Sequence, residues 1–149
     1  MKLIVAADPR GGIGYKNKLP WEKLDGDLLR FKNLTTGKVI LMGRNTWESL
    51  PRKPLPNRVN VVVTSKDIDG IVTINKFGKD SINLNNVWLI GGAKLINTSW
   101  NLIDEIHLSR TFAEYTCDTF IDLVKLEKEF NCMFKENQSD HSYEIWKRK

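Results

Sequence analysis

"VILMGRNTWESL", residues 39–50, is the stretch on which the fold turns. Val39 to Met42 are apolar at consecutive positions, as in a strand covered on both faces. Gly43 ends the run, and a helical piece is predicted over 45–50, with Asn45 and Glu48 at the spacing of a capping box. The helix start offers free N–H groups beside Arg44, which makes it either an anion site or an ordinary strand-to-helix turn with a solvated arginine. A strand running straight into a helix is the repeating step of an α/β sheet.

The same step recurs on either side. Strand-like runs are "KLIVAA" (2–7), "NVVVTS" (60–65), "IVTIN" (71–75), "VWLIGG" (87–92), "EIHLSR" (105–110), "CMFKE" (132–136) and "YEIWKR" (143–148). Helical or turn-rich pieces at 25–35 and 92–102 alternate with the early runs, so a largely parallel sheet is predicted. No helix-length segment separates the last two runs, which predicts an antiparallel C-terminal hairpin. The chain has 149 residues, 41% of them hydrophobic and 28% charged. That suits a single domain over 1–149 with a sizeable core. No apolar run reaches membrane-spanning length, and Met1 leads directly into "KLIVAA", too short for a signal-peptide core. Cys117 and Cys132 do not have a metal-site spacing, so no metal is expected, and reduced thiols suggest a cytoplasmic setting. The net charge of +5 is scattered, with "KRK" the only basic run. It reads as a solvated surface whose field favours small polyanions, without the basic stripe or stacking motif of a nucleic-acid binder.

Ligands of open α/β sheets bind beyond the carboxyl ends of the strands. Besides Arg44, two such ends carry informative residues. In "VWLIGGAKLI" the pair Gly91-Gly92 either lets a backbone approach a ligand or makes a plain tight turn, with Lys94 beside it. In "KPLPNRVNVVVTSK" the prolines stiffen the approach to Arg58, which can hold a carboxylate through two parallel hydrogen bonds. Thr64, Ser65 and Lys66, at the far end of that strand, suit a phosphate, or else a polar strand end. "AADPRGGIGYKNKLPW" is a long irregular loop of the kind that acts as a lid. The helix after it sets Leu24, Leu28, Phe31 and Leu34 on one face, and Asp27 falls on that face too. A carboxylate there is costly unless paired. Asp25 or Asp27 either caps the helix or meets a ligand.

Together "IG" (13–14), "LPW" (19–21), Asp27 with "LLRF", "MGRNTWESL" (42–50), "PLPNR" (54–58), "IGG" (90–92) and "DTF" (118–120) resemble dihydrofolate reductase of the bacterial and phage type. The resemblance runs unbroken over nearly the whole chain. It implies a single-domain, three-layer α/β fold, with a mostly parallel twisted sheet, an antiparallel C-terminal hairpin and helices on both faces. It also implies NADPH-dependent reduction of 7,8-dihydrofolate to tetrahydrofolate in support of one-carbon metabolism and thymidylate synthesis, binding of dihydrofolate and antifolate-type small molecules but of neither nucleic acid nor membrane, and a monomer.

Carried over by position, the resemblance gives Asp27 the pterin's amino-pyrimidine edge and the promotion of protonation at N5, with Trp21 and Leu19 completing the catalytic set. Ala6, Leu28, Phe31, Leu50 and Ile90 would wall the pterin and benzoyl pocket, and Ile4 would offer its carbonyl. Arg58 would pair with the glutamate tail. Ser109 matches a hydroxyl, usually threonine, that supports the acid. Ile13, Gly14, Asn17 and Leu19 would belong to the loop over nicotinamide. Gly43, Arg44, Asn45, Thr46, Thr64, Ser65, Lys66, Gly91, Gly92, Ala93, Lys94 and Leu95 would line the NADPH groove, which Ala6, Ile90 and Ile96 adjoin. Ile96 stands where many relatives have tyrosine, Ala93 replaces a third glycine, and the loop from Trp21 to Asp27 is one residue longer than usual. "NKFGKDSINLNN" is too short and asparagine-rich for a helix. A same-fold reductase acting on a riboflavin precursor would need neither Asp27 nor Arg58, and a non-catalytic NADPH binder would not need the Trp21, Asp27 and Arg58 set.

Overall fold

A computed structural model describes residues 1–149. Eight strands form one sheet in the order β5-β4-β3-β6-β1-β7-β10-β9. They are β1 (Lys2–Ala7), β3 (Val39–Gly43), β4 (Val59–Val63), β5 (Val72–Ile74), β6 (Val87–Gly91), β7 (Glu105–Thr111), β9 (Phe130–Asn137) and β10 (His141–Arg148). The six on the β5 side pair in parallel, and β10 runs antiparallel to both β7 and β9. The predicted α/β sheet and its C-terminal hairpin are both present.

The two faces of the sheet carry separate cores, as residues two apart along a strand share a face. On one, Leu3, Leu41, Leu89, Ile106 and Leu108 meet Leu95 and Ile96 of α3 (Ala93–Thr98) and Leu126 of α4 (Leu123–Glu129). On the other, Ile40, Met42, Val62 and Trp88 meet Trp47 of α2 (Arg44–Ser49) and Leu34 of α1 (Asp27–Thr35). Helix, sheet and helix thus make three layers.

Several local expectations shift. α1 starts at Asp27 rather than Asp25, after Gly26 in the left-handed region at φ 75°, and no side chain caps it. Leu24 therefore lies before the helix, buried, instead of on its face. The Asn45–Glu48 capping box does not form: α2 begins one residue earlier, with Gly43 as its uncapped start, and Glu48 accepts from Arg44. Residues 75–86 contain no α-helix, only a 3₁₀ turn at Leu84–Asn86, as predicted. Two features go beyond the sequence reading. α4 is one, started by the Asp122 carboxylate accepting from the Lys125 N–H. The other is a small ribbon of β2 (Gly12–Gly14) and β8 (Thr119–Phe120), which ties the first loop to the segment after β7.

Candidate active site

The question posed by Asp27 has a local answer. Its side chain crosses to β7, where the Ser109 hydroxyl donates to Oδ1 at 2.5 Å. It is therefore not the helix cap. In register, Ala6 lies beside Ser109 and Ile4 beside His107, so these four share a face of the sheet. Ile4, Leu50 and Ile90 pack on the cluster of Ile40, Met42, Trp47, Val62 and Trp88. The acid thus stands at the edge of an apolar wall made from four of the predicted pocket residues. Leu28 differs: it is 73% exposed, so the structure does not bring it into an enclosed wall.

Arg58 is held from the end of α1. Its Nε donates to the Pro56 carbonyl at 2.9 Å and one terminal nitrogen to Thr35 Oγ1 at 3.2 Å, with the Phe31 ring 5.8 Å from the guanidinium. Burial lowers the guanidinium from its usual value, yet an arginine remains charged throughout the physiological range. Asn60 locks the approach: its side chain accepts from the Leu55 N–H and donates to the carbonyls of Leu55 and Arg58. The sequence reading missed Asn60 and Thr35. The signal was available for Asn60, the one polar residue inside an otherwise apolar strand.

Beyond that wall, glycine backbone and Thr46 come together at two strand ends. The ends of β3 and β6 lie side by side, and the Thr46 hydroxyl sits over them. A Cβ on Gly91, at φ 138°, would fall 3.1 Å from Thr46 Oγ1. The positive φ favours glycine there, and an added Cβ would press on the Thr46 hydroxyl. Arg44 uses Nε and one terminal nitrogen on Glu48, at 3.2 and 3.1 Å, while its other terminal nitrogen is buried with no partner. An unpaired buried donor is costly, and an anion would satisfy it. Thr64, Ser65 and Lys66 follow the neighbouring strand, the last two exposed. Asn45 and Lys94 are exposed, and Ala93 opens α3. Leu95 and Ile96 of α3 are buried and pack into the larger core.

The first loop is fastened at its base. Buried Asp8 accepts from the N–H groups of Arg10, Gly12 and Tyr115. Burial pushes its carboxyl up, but these donors outweigh it and hold the group below the usual range. Gly14 accepts from the Asp118 N–H at 2.9 Å, and Asp118 Oδ2 accepts from the Lys16 N–H at 2.9 Å. Trp21 is buried, edge-on to Tyr115 with ring centres 5.4 Å apart. Ile13 packs on the core, whereas Asn17 turns at φ 62° and Leu19 is 62% exposed. A fixed base with an open tip is the form of a lid. Asp8 and Asp118, which make the base, were also missed: the contacts that tie the loop to the segment after β7, Tyr115 N–H to Asp8 and Lys16 N–H to Asp118, join residues more than 100 apart in sequence.

These residues fall on strand ends separated by most of the chain, and comparison with known proteins accounts for the pattern. A family profile described as dihydrofolate reductase matches residues 1–147. The type 8 dihydrofolate reductase of Escherichia coli is 35% identical over 160 aligned positions, covering 98% of this chain and 94% of that one. Dihydrofolate reductase of Buchnera aphidicola is 33% identical, with 99% of each chain covered. A bifunctional dihydrofolate reductase-thymidylate synthase of Paramecium tetraurelia is 40% identical over 129 positions, spanning 80% of this chain but 28% of that protein. Matched along nearly its whole length, the chain belongs to the dihydrofolate reductase family.

Proposed function

We propose that the protein reduces 7,8-dihydrofolate to 5,6,7,8-tetrahydrofolate with NADPH, and that Asp27 is its acid. The observation carrying the assignment of the acid is the Asp27 carboxylate, bonded to buried Ser109 at the edge of an apolar wall, with Arg58 held beyond Phe31 on the same helix side. NADPH, when bound, supplies the hydride that reduces pterin C6. Gly43, Gly91-Gly92, Thr46 and the unpartnered nitrogen of Arg44 fit such a cofactor, since the glycines carry no side chain there and a buried cationic donor would be satisfied by an anion.

The chain's own groups do the rest. Both protein hydrogen bonds to the carboxylate fall on Oδ1, from Ser109 and from Arg30. Oδ2 and the remaining capacity of Oδ1 are left to accept the two parallel N–H donors of a pterin edge. The anion makes the nearby N5 more basic, so a proton from water reaches it more readily. Ile4, Ala6, Leu50 and Ile90 strengthen that field by excluding water. Arg58 holds the distant carboxylate and fixes the pterin for hydride transfer. Antifolates with the same amino-pyrimidine edge would occupy the same wall.

No helix is long and apolar enough to cross a membrane, and no group of side chains suited to a metal is present. A cytoplasmic monomer suits this reading. The deciding experiment follows NADPH absorbance with and without dihydrofolate. Dihydrofolate-dependent loss is the expected result, and its absence with folded protein would sink the proposal.

A further inference from the structure

The strand β4 reads VNVVV, and the amide in it is out of keeping with its neighbours. Asn60 is 5% exposed and lies in register beside Ile40, whose surroundings are Met42, Val62 and Trp88. An apolar side chain would pack there without polar cost, whereas a buried amide is tolerated only when its hydrogen bonds are made. Every bond that this amide makes goes to one segment. Its Oδ1 accepts from the Leu55 N–H at 3.0 Å, and its Nδ2 donates to the carbonyls of Leu55 at 2.9 Å and Arg58 at 3.2 Å. One side chain thus meets both polar groups of Leu55, as a neighbouring strand would.

That segment has little else to hold it. Residues 51–58 belong to no helix or strand, and the prolines at 51, 54 and 56 bring no N–H. The one backbone bond that reaches it is from the Gly37 N–H to the Asn57 carbonyl, at 2.8 Å. Yet the segment carries half of what orients Arg58, since the Pro56 carbonyl accepts from Nε at 2.9 Å. The other half is on α1. Thr35 is fully buried, donates its hydroxyl to the Phe31 carbonyl at 2.7 Å, and accepts from Arg58 Nη1 at 3.2 Å. Two acceptors on different elements therefore fix the plane of the guanidinium. Both are neutral oxygens, and Nη2 is left for another partner.

We propose that Asn60 is a positioning residue for the distant carboxylate of the substrate. This rests on Arg58 holding that carboxylate. By pinning Leu55, Asn60 sets where the Pro56 carbonyl stands, and that carbonyl sets where Nη2 points. A carboxylate grips a guanidinium through two parallel bonds, so a tilt of the plane weakens both together. A guanidinium fixed in advance also costs less to order when the ligand arrives.

The test compares the KM of dihydrofolate with that of a 7,8-dihydropterin lacking the benzoylglutamate tail. Asn60→Leu keeps the shape of the side chain and none of its hydrogen bonds. It should raise the KM for dihydrofolate about three- to tenfold, the worth of roughly one hydrogen bond, and that for the dihydropterin by less than about twofold. Asn60→Thr, whose hydroxyl restores part of the bonding, should fall between the two, and it carries the same comparison if the leucine variant does not fold. Added to Arg58→Leu, Asn60→Leu should change little, because the group it positions is gone. A KM rise shared by both substrates, or one that persists in full without Arg58, would make Asn60 mere packing and overturn the proposal. An unchanged KM for dihydrofolate would overturn it too. Arg58→Leu alone keeps the two ideas apart. If it raises both KM values alike, Arg58 does not hold the tail and the underlying reading falls; if it acts on dihydrofolate only while Asn60→Leu acts on both, only the role of Asn60 is lost.

Discussion

The two sides of the cleft are finished to different degrees. On the substrate side, Asp27 already has Ser109 and Arg30, and Arg58 already has Pro56 and Thr35. On the cofactor side, an Arg44 nitrogen is buried without a partner, backbone glycines lie against Thr46, and Ser65 and Lys66 are exposed. Under the proposed assignment, one side is already organised by protein contacts, and the other keeps a buried donor unpaired. Preorganised charges act at the moment of reaction without rearranging. The substrate side should therefore govern rate, and the cofactor side affinity and choice of nucleotide.

The largest effect expected from that contrast is at the acid. Asp27→Asn retains the fold but loses roughly two to four decades of turnover at neutral pH, because an amide carries no charge to favour protonation. Near-wild-type kcat would reduce Asp27 to an ornament of the helix start. Arg58→Leu ranks next. It raises the KM for dihydrofolate and spares that for NADPH, as a remote carboxylate contact is mostly uniform binding. A desolvated pair of this kind is worth about 2–5 kcal/mol when truncated. Arg58 is partly exposed, so the low end is expected. An unchanged substrate KM with a raised cofactor KM would put Arg58 on the wrong side of the cleft.

How much of this was visible in the sequence follows from how each feature is made. Strands buried on both faces announce themselves by composition, and all eight strands of the sheet were legible, though β9 and β10 begin two residues earlier than read. Asp27 stood out because a charge interrupted an apolar stripe, and Arg58 because prolines preceded it. Of the partners, Ser109 was reached through the resemblance alone, and His141 and Tyr143 stayed hidden, because they meet Arg30 only through the register of β7 and β10, which no local pattern specifies. α4 did carry a signal in Asp122, Leu123 and Leu126, but the helix has only seven residues and Val124 is exposed. The capping box misled because Arg44 competes for Glu48 one turn away.

On the cofactor side, the third prediction concerns the nucleotide. Arg44 and Lys66 are cationic where an NAD-specific site would carry an acid for the ribose hydroxyl. NADPH should be preferred over NADH, and Arg44→Ala with Lys66→Ala should erase roughly ten- to a hundredfold of that preference, two charge contacts of about 1 kcal/mol each. The preference should also shrink as salt rises, since Lys66 is exposed and screened. Equal kcat/KM for the two nucleotides in the unaltered protein would show that these cations serve something else.

The smallest effect separates the two sides by acid sensitivity. His107, under the substrate side, is lowered from its ordinary value of 6.5 chiefly by burial. A histidine lowered in the fold binds fewer protons there than in the unfolded chain, so its share of stability is complete above pH 6.5 and is lost as pH falls toward the folded value. Asp8, at the base of the loop, is lowered from 3.8 by its backbone donors, against the opposing push of burial. Its share is complete above pH 3.8 and is lost only below that. Between pH 6.5 and about 4, then, His107 loses its share while Asp8 keeps its own. Tm is therefore expected to fall as pH is lowered across that interval. Amide exchange should quicken in β7 and β10 while residues 8–16 hold their protection. Replacement of His107 by asparagine should flatten the Tm profile in the same interval. If the loop loosens first, or the asparagine variant keeps the full slope, the histidine beneath Tyr143 is not what makes the substrate side sensitive to acid.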